Sequence, residues 1–259
     1  MMDKLTLIHK GEWIVSNEVA ITKRFLVVVG VLTNRFESDH IWAHRYVSAS
    51  NINIKYVSCA PLGYKKQVIL SCKRGGRSQL EHTRLWLGVA PTLFPRATYI
   101  CKMDIDTLIF PQTLSAILRS LFPPAVYGHS CWVDPCLWGA RPVSTAMRCM
   151  TQNAWRSCDA ISRVSCGVCG GFYALTYDVA SKISHMTNDT TLSAKFGDLE
   201  DRYTSDLIQR SYGSNFLFAS DWKYWQTYPN YNITTAAVIH NIKTKRQWKS
   251  VLKSINSIS

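Results

Sequence analysis

The stretch "ATYICKMDIDTLIF", residues 97 to 110, places an apolar run directly before two aspartates, Asp104 and Asp106. The run predicts a buried strand, and the helical pattern that precedes it predicts a strand inside an α/β sheet. In open α/β sheets, ligands bind beyond the carboxyl ends of the strands. The stretch therefore predicts both a fold class and a candidate site at the two aspartates.

The alternation of strands and helices continues in both directions from this stretch. The predicted elements are strand "RFLVVVGVLTN", helix "ESDHIWAHRYVSAS", strand "INIKYVSC", a helix from about Gln79 to Val89 that Pro91 and Pro95 end, strand "ATYICKM", helix "QTLSAILRSLF", strand "AVYGHSCWV", strand "GGFYALT", helix "YDVASKISHM", strand "TTAAVIH" and a helix from about Lys243 to Ile255. This order predicts one α/β domain over residues 1–259, with a mixed, mostly parallel sheet flanked by helices.

Composition and charge point to a folded protein with an anionic partner. The 259 residues include 30 Lys and Arg against 17 Asp and Glu, which gives a net charge of +13. Such an excess favours contact with nucleic acid, lipid headgroups or a phosphorylated ligand. The longest apolar run, Phe25 to Leu32, is far shorter than the roughly 20 residues of a spanning helix, so no anchor is expected within this chain.

Nine cysteines and two glycosylation sequons, Asn188-Asp189-Thr190 and Asn232-Ile233-Thr234, favour the secretory pathway. The odd number of cysteines leaves at least one thiol unpaired. Cys166 and Cys169 form a C-x-x-C that is compatible with half of a zinc site, a redox pair, a disulfide or plain packing.

Asp104 and Asp106 form a costly pair if they are buried together. In an extended segment they share a face with Lys102, while Met103 and Ile105 point to the other. Two carboxylates ~7 Å apart at an effective dielectric near 20 repel by roughly 2 kcal/mol, before desolvation. Lys102 or a wet strand end could offset this, and so could Mn²⁺ or Mg²⁺, which bind carboxylates together with substrate phosphates.

A second acidic cluster lies in "GDLEDRYTSDLI", residues 197–208. Acids at the start of a helix complement its dipole, with Asp198 as a candidate N-cap. The alternative is that Asp201 or Glu200 is a general base on rigid structure. Gly170 and Gly171 open a strand, either to admit a ligand close to the backbone or to form a bulge or tight turn.

His240 ends an apolar strand and precedes a basic segment that contains Lys243, Lys245, Arg246 and Lys249. One interpretation is a structural histidine beside a solvated basic face. The other is a metal-diphosphate site, because cations stabilise phosphate charge.

In order, these segments resemble the inverting β-1,3-glycosyltransferases of the galactosyltransferase and N-acetylglucosaminyltransferase type, including the kinetoplastid phosphoglycan β-1,3-galactosyltransferases. "FPRATYICKMDIDTLIFP" resembles the family's metal-binding D-x-D segment, "CGGFYALTYDVA" its glycine-rich strand near the acceptor, and "GDLEDRYTSDLI" its Glu-Asp motif. The likeness spans about Phe25 to Trp248.

The resemblance implies a GT-A-like fold, Mn²⁺ or Mg²⁺ as cofactor, and a hexosyltransferase that moves galactose or N-acetylglucosamine from a UDP-sugar to a glycan hydroxyl in β-1,3 linkage. Residues from about 20 to 110 would bind the nucleotide sugar and residues from about 111 to 259 the acceptor. A Golgi glycoprotein of type II topology is expected if the full-length form carries an anchor. The implied site residues are Asp106, Asp104 and His240 for the metal, Asp104, Asp106, Lys102 and Lys243 for the donor, Gly170 and Gly171 for the acceptor, and Asp201 with Glu200 for base catalysis.

Two positions differ from the family pattern and support a second hypothesis. After Glu200-Asp201 the family has a small apolar residue and later a glycine, whereas this chain has Arg202 and Ser205. A truncated or degenerate transferase fold could act instead as a basic module for RNA or acidic glycans. Nucleic acid is not expected as a partner of the transferase itself. The sequence leaves the donor sugar, acceptor, disulfide pairing and oligomeric state open.

Overall fold

A computed structural model describes residues 7–9, 12–14, 25–33, 50–62, 66–72, 78–133, 165–189, 196, 199–212, 217–219 and 225–257. The helix predicted in "ESDHIWAHRYVSAS" and the candidate cap Asp198 lie outside these ranges. The strands are β1 Leu7–His9, β2 Glu12–Ile14, β3 Val27–Leu32, β4 Ile52–Ser58, β5 Gln67–Ile69, β6 Tyr99–Asp104, β7 Leu108–Ile109, β8 Ala125–Val133, β9 Ser165–Thr176, β10 Leu217–Ala219, β11 Trp225–Thr227 and β12 Val238–His240. The helices are α1 Gln79–Leu93, α2 Pro111–Arg119, α3 Tyr177–Ser184, α4 Glu200–Tyr212 and α5 Lys245–Asn256.

Nine of these strands form one sheet in the order β2-β1-β10-β8-β9-β6-β3-β4-β5. Strands β6, β3, β4 and β5 are parallel neighbours, and so are β8 and β10. Strand β9 is antiparallel to both β6 and β8, and β1 is antiparallel to both β2 and β10. All the described strands of this sheet except β1 and β9 therefore run in one direction, which confirms the predicted mixed, mostly parallel α/β architecture.

Strand β3 is at the centre of the core, and each of its residues from Val27 to Leu32 is buried. Helix α1 lies unusually close to it at Gly30, where an added Cβ would be 2.3 Å from Cε2 of Trp86. The Trp86 ring is fully buried, and its Nε1 donates to the carbonyl of Cys101 in β6 at 3.0 Å. Glycine is thus required at position 30 because the indole occupies the space of a side chain.

A small sheet of order β11-β12-β7 covers one end of the molecule and carries His240. Helix α5 packs its buried Trp248, Val251 and Leu252 against this sheet, as the apolar periodicity predicted. A capping box between Thr244 and Gln247 begins the helix. This layer positions the residues that follow β12.

Two sequence-based boundaries are wrong. Pro91 does not end helix α1, which continues to Leu93 with Pro91 buried inside it. The proline lacks its own amide donor, but the Phe94 amide still donates to Ala90 O at 2.9 Å, so the last turn is completed. The strand predicted over "TTAAVIH" is confined to β12, since residues 232–236 form turns.

The described cysteines include one disulfide, between Cys59 and Cys72, and one buried free thiol, Cys101. Cys166 and Cys169 lie in β9, but their side chains are outside the description. No helix in the described ranges has the length and apolar character needed to cross a bilayer.

Candidate functional site

Asp104 and Asp106 lie at the carboxyl end of β6, beside the end of the parallel strand β3. The strand ends at Asp104, and the Thr107 amide donates to the Asp104 carbonyl at 3.1 Å to close a turn. Asp106 therefore reaches the site from this turn, which corrects the expectation that both acids alternate along one strand. Met103 and Ile105 pack together in the core on the opposite side, as predicted.

The structure brings His240 to the two aspartates. Strand β12 pairs antiparallel with β7, which follows Asp106 almost directly in sequence, so the end of β12 returns to the acidic turn. One ligand atom from each of Asp104, Asp106 and His240 lies within 4.8 Å of the others. Carboxylate and imidazole groups at this spacing could hold a divalent cation.

A left-handed residue fixes this arrangement. Asn241 has φ of 73°, a conformation that asparagine tolerates better than most residues. The chain reversal lets the Ile242 amide donate to the Asp106 carbonyl at 2.9 Å. His240 and Lys243 are thereby held on either side of the Asp106 carboxylate.

Asp106 is the most strongly charge-stabilised acid of the site. It is only 6% exposed, Lys243 donates to its Oδ2, and His240 Nε2 lies 3.4 Å from its Oδ1. Burial opposes ionisation, but the hydrogen bonds and charges of His240 and Lys243 more than offset it and hold the pKa of Asp106 well below its usual range. Apart from the His240 ring, Oδ1 has no hydrogen-bond partner among the described residues, so its lone pairs can accept a cation.

Lys102 is completely buried and is shared by two carboxylates. Its Nζ lies 2.7 Å from Asp104 Oδ1 and 2.6 Å from Glu200 Oε1, and it also donates to the Gly170 carbonyl. These three acceptors use all three donors of an ammonium group. Burial disfavours the charge, but Asp104 and Glu200 outweigh this and raise the pKa of Lys102 above its usual range.

Glu200 responds differently because Lys102 is its only described cationic partner. The carboxyl is buried at 4% exposure, and this burial raises its pKa to about 7 against the opposing charge of Lys102, with Asp104 and Asp201 adding repulsion. Above about pH 7 the triad of Asp104, Lys102 and Glu200 therefore has one carboxylate in excess of its single ammonium.

The glycine pair predicted from the sequence makes room for these side chains. A Cβ on Gly170 would lie 2.6 Å from Glu200 Oε1, and a Cβ on Gly171 would lie 2.6 Å from the His240 ring. Any larger residue would displace Glu200 or His240 from the site. Contact of these glycines with an acceptor stays a prediction.

Asp201 is the second residue of helix α4 and is half-buried, and its Oδ1 accepts from the Arg202 amide at 2.8 Å. Ser205, one of the two departures from the family pattern, is buried and joins α4 to the sheet. Its hydroxyl donates to Asp201 O at 2.7 Å and accepts from the Val168 amide at 3.1 Å. Serine at this position is therefore compatible with an ordered site.

Two supporting residues were missed from the sequence. Gln79, the first residue of α1, donates from Nε2 to Asp104 Oδ1 at 2.8 Å, and Thr107 donates to the Gly171 carbonyl at 3.1 Å. An exposed glutamine at a helix start carries no sequence signal of such a contact. Thr107 directly follows the D-x-D, and this position is the only sequence feature that links it to the site.

No protein-family model and no curated protein sequence matches this chain. Similar solved structures include a glycosyltransferase involved in the glycosylation of the major capsid of PBCV-1, with 11% identity, a TM-score of 0.44 and coverage of 88% of this chain and 99% of that one. Mouse xyloside xylosyltransferase 1 shares 9% identity, with a TM-score of 0.44 over 84% of this chain and 97% of that one. The galactosyltransferase LgtC, in complex with donor and acceptor sugar analogs, shares 9% identity, with a TM-score of 0.42 over 88% of this chain and 95% of that one.

Proposed function

We propose that this chain is a metal-dependent, inverting glycosyltransferase of GT-A-like fold that transfers galactose or N-acetylglucosamine from a UDP-sugar to a glycan hydroxyl in β-1,3 linkage. The observation that carries the proposal is the group of Asp104, Asp106 and His240 at the carboxyl end of β6. Hard divalent ions take the two carboxylates and complete their coordination with substrate phosphates, and imidazole is a ligand of divalent transition metals. The β-1,3 specificity and the choice of sugars rest on the sequence resemblance alone.

The part of the site that binds the donor would consist of the metal ligands and the exposed ammonium of Lys243. Asp104, Asp106 and His240 would hold Mn²⁺ or Mg²⁺, which when bound would neutralise the departing diphosphate. Lys243 has a 61% exposed side chain beside Asp106, so its ammonium can turn from the carboxylate to a phosphate oxygen. Lys102 is inaccessible to a ligand and would act indirectly, by holding Asp104 in place.

Asp201 is the proposed general base. Its carboxylate would accept the proton of the acceptor hydroxyl while that oxygen bonds to the anomeric carbon, and the bond from that carbon to the diphosphate oxygen would break on the opposite face. Glu200, the other predicted base, is only 4% exposed, and Lys102 donates to its Oε1 at 2.6 Å. Its carboxylate is therefore poorly accessible to an acceptor hydroxyl. We therefore assign Glu200 a supporting role and Asp201 the proton transfer.

A thermal-shift experiment with UDP, UDP-galactose and UDP-N-acetylglucosamine, each with and without Mn²⁺, tests the donor site. A ligand at 100 times its Kd stabilises the native state by about 2.7 kcal/mol, so a Mn²⁺-dependent rise in melting temperature is expected for at least one nucleotide. Asp106→Asn should lose this shift. The absence of any nucleotide-dependent shift in the wild-type protein would refute the donor site.

The catalytic assignment is tested by sugar transfer to a glycan acceptor. Asp201→Asn should keep the Mn²⁺-dependent UDP shift and lose transfer, because only the base is removed. Asp206→Asn is the matched control, since Asp206 lies on the same helix and pairs at the surface with Arg210 at 2.5 Å. Full transfer by Asp201→Asn would eliminate Asp201 as the base.

A second candidate function, binding of acidic glycans or other polyanions without catalysis, is favoured by the exposed cations Lys245, Arg246 and Lys249 on α5. Such binding would weaken steeply with salt and need no metal. Salt-sensitive binding of heparin together with no UDP response would select this function over the transferase.

We also propose a secretory location for the protein. The Cys59–Cys72 disulfide and the exposed Asn232 of a sequon support it. Expression with a secretory leader should yield a product whose mass falls on treatment with a peptide N-glycosidase, and an Asn232→Gln variant should show a smaller fall.

A further inference from the structure

A second group of potential metal ligands, separate from the group of Asp104, Asp106 and His240, includes a histidine in the first turn of α1. Cys59 follows β4, Cys72 follows the neighbouring parallel strand β5, and His82 is in the first turn of α1. One ligand atom from each of the three residues lies within 4.8 Å of the others. The parallel pairing of β4 with β5 brings the two cysteines together, and the start of α1 adds the imidazole.

His82 is the unusual member of this cluster. Its side chain is buried at 5% exposure, and its Nε2 has no hydrogen-bond partner among the described residues. Leaving a buried polar atom without a hydrogen-bond partner is unfavourable, because the atom has lost water without gaining a replacement. The two cysteines are only half-buried, so solvent species can reach the cluster from their side.

From this geometry we infer that the reduced protein binds Zn²⁺ through the thiolates of Cys59 and Cys72 and the imidazole of His82. Two thiolates and one neutral imidazole form a donor set that Zn²⁺ accepts, with water in the fourth position. The two negative sulfurs balance the dication. The metal would also give the buried imidazole the partner that it lacks in the disulfide form.

The required movement is small. Zn–S distances near 2.3 Å place two tetrahedral thiolates roughly 3.8 Å apart, against about 2 Å in a disulfide. The Cα atoms of Cys59 and Cys72 are 5.5 Å apart, and side-chain rotation alone can supply the difference of about 2 Å between the sulfurs.

The chemistry is a reduction followed by metal binding. A phosphine reductant breaks the S–S bond, and the phosphine is oxidised to its oxide with an oxygen from water, while the two water protons go to the sulfurs. Zn²⁺ then displaces both thiol protons to solvent. Zinc binding and the disulfide are mutually exclusive, because the metal needs both sulfurs as thiolates.

The test uses the full chain, reduced anaerobically with a phosphine, freed of reductant and loaded with Zn²⁺ or Co²⁺. The reduced wild-type protein should retain one zinc ion after desalting, and its Co²⁺ complex should show a thiolate-to-cobalt charge-transfer band, which a site made of carboxylates cannot give. The oxidised protein should lack the band. Reduced protein without the band would overturn the inference.

Variants identify the ligands. The double variant Cys59→Ser/Cys72→Ser should lose the band, and His82→Gln should lose the retained zinc. His185→Gln is the matched control, because His185 is exposed after α3. Circular dichroism checks that each variant folds. If His82→Gln does not fold, the loss or survival of the band in Cys59→Ser/Cys72→Ser tests the site, because those two cysteines are only half-buried. A band that survives in Cys59→Ser/Cys72→Ser but disappears in Cys166→Ser/Cys169→Ser would refute the assignment. The outcome is independent of nucleotide binding, so this inference and the proposed transferase fail separately.

Discussion

Replacing Lys102 by methionine should destabilise the protein far more than neutralising Glu200. Methionine keeps much of the length and volume of the lysine side chain but leaves Asp104 and Glu200 without the ammonium that they share at 2.7 and 2.6 Å. Removing one partner from a buried charge pair costs about 3–5 kcal/mol. A chain of this size would lose about 10 °C of melting temperature.

Glu200→Gln should behave differently at pH 8. Burial raises the pKa of Glu200 to about 7, so the wild-type protein carries an unfavourable buried carboxylate at pH 8 that the amide lacks. Lys102 keeps Asp104 as its counter-ion. We expect the variant to lie within about 1 kcal/mol of the wild type or to exceed it, because the excess negative charge of the triad is removed.

The sign of the pH dependence follows from the raised pKa. A carboxyl that titrates near 4.3 when unfolded and near 7 when folded contributes stability that is present below about pH 4.3 and lost as the pH rises through 7. The loss is about 4 kcal/mol for a shift of this size. Glu200→Gln should therefore flatten the fall in unfolding free energy between these pH values.

Urea denaturation at pH 5.5 and pH 8 measures these differences, with Lys249→Met on the exposed side of α5 as the control for loss of a lysine. The double variant Lys102→Met/Glu200→Gln should recover at least about 1 kcal/mol of the loss at pH 8, since one of the two unpaired carboxylates is gone. If Glu200→Gln costs as much as Lys102→Met at pH 8, the description of one cation shared by two acids is wrong.

Three further predictions concern the framework of the site. Gly30→Ala should lower the unfolding free energy by roughly 1–3 kcal/mol in urea denaturation, because its methyl group would overlap the Trp86 ring; an unchanged midpoint would contradict this. Asn241→Val should lower the unfolding free energy by about 1–2 kcal/mol and Asn241→Gly should hardly change it, because the left-handed backbone at this position disfavours a β-branched residue but not glycine. Equal effects of the two substitutions would contradict this explanation. The depressed pKa of Asp106 gives stability that is present above about pH 4 and lost as the pH falls further, so Asp106→Asn should flatten the acid limb of a stability curve, and an unaltered limb would contradict it.

The fold was predictable wherever local periodicity and burial agree. The uniformly apolar β3, the strand that leads into Asp104 and the amphipathic α5 were all identified, because each buries a face that its own sequence makes apolar. The end of α1 was not, since Pro91 is buried inside the helix, and such tertiary packing has no local sequence signal. The antiparallel insertion of β9 between β6 and β8 is likewise decided by long-range pairing.

The site was predictable in its residue types but not in its contacts. Asp104, Asp106 and His240 were grouped from the sequence, and the structure brings them together. The Lys102–Glu200 contact spans 98 positions and Gln79 reaches Asp104 from another element, so neither has a local signal. The glycine pair was expected to admit a ligand or to form a bulge or tight turn, and in the structure the side chains of Glu200 and His240 lie against it.

The charges of the site explain why a cation would be favourable there. Asp104, Asp106 and Glu200 contribute three negative charges above pH 7, and Lys102 and Lys243 contribute two positive ones, which leaves a net charge of −1 for these five residues. A bound dication would change this to +1, and the site would then attract a diphosphate instead of repelling it. The buried Lys102 is held by its two acids, whereas the exposed Lys243 would be able to move to a donor phosphate and leave Asp106 to the proposed metal. In the proposed transferase, Lys102 would therefore maintain the geometry of the site, and Lys243 would make metal binding and nucleotide binding mutually reinforcing.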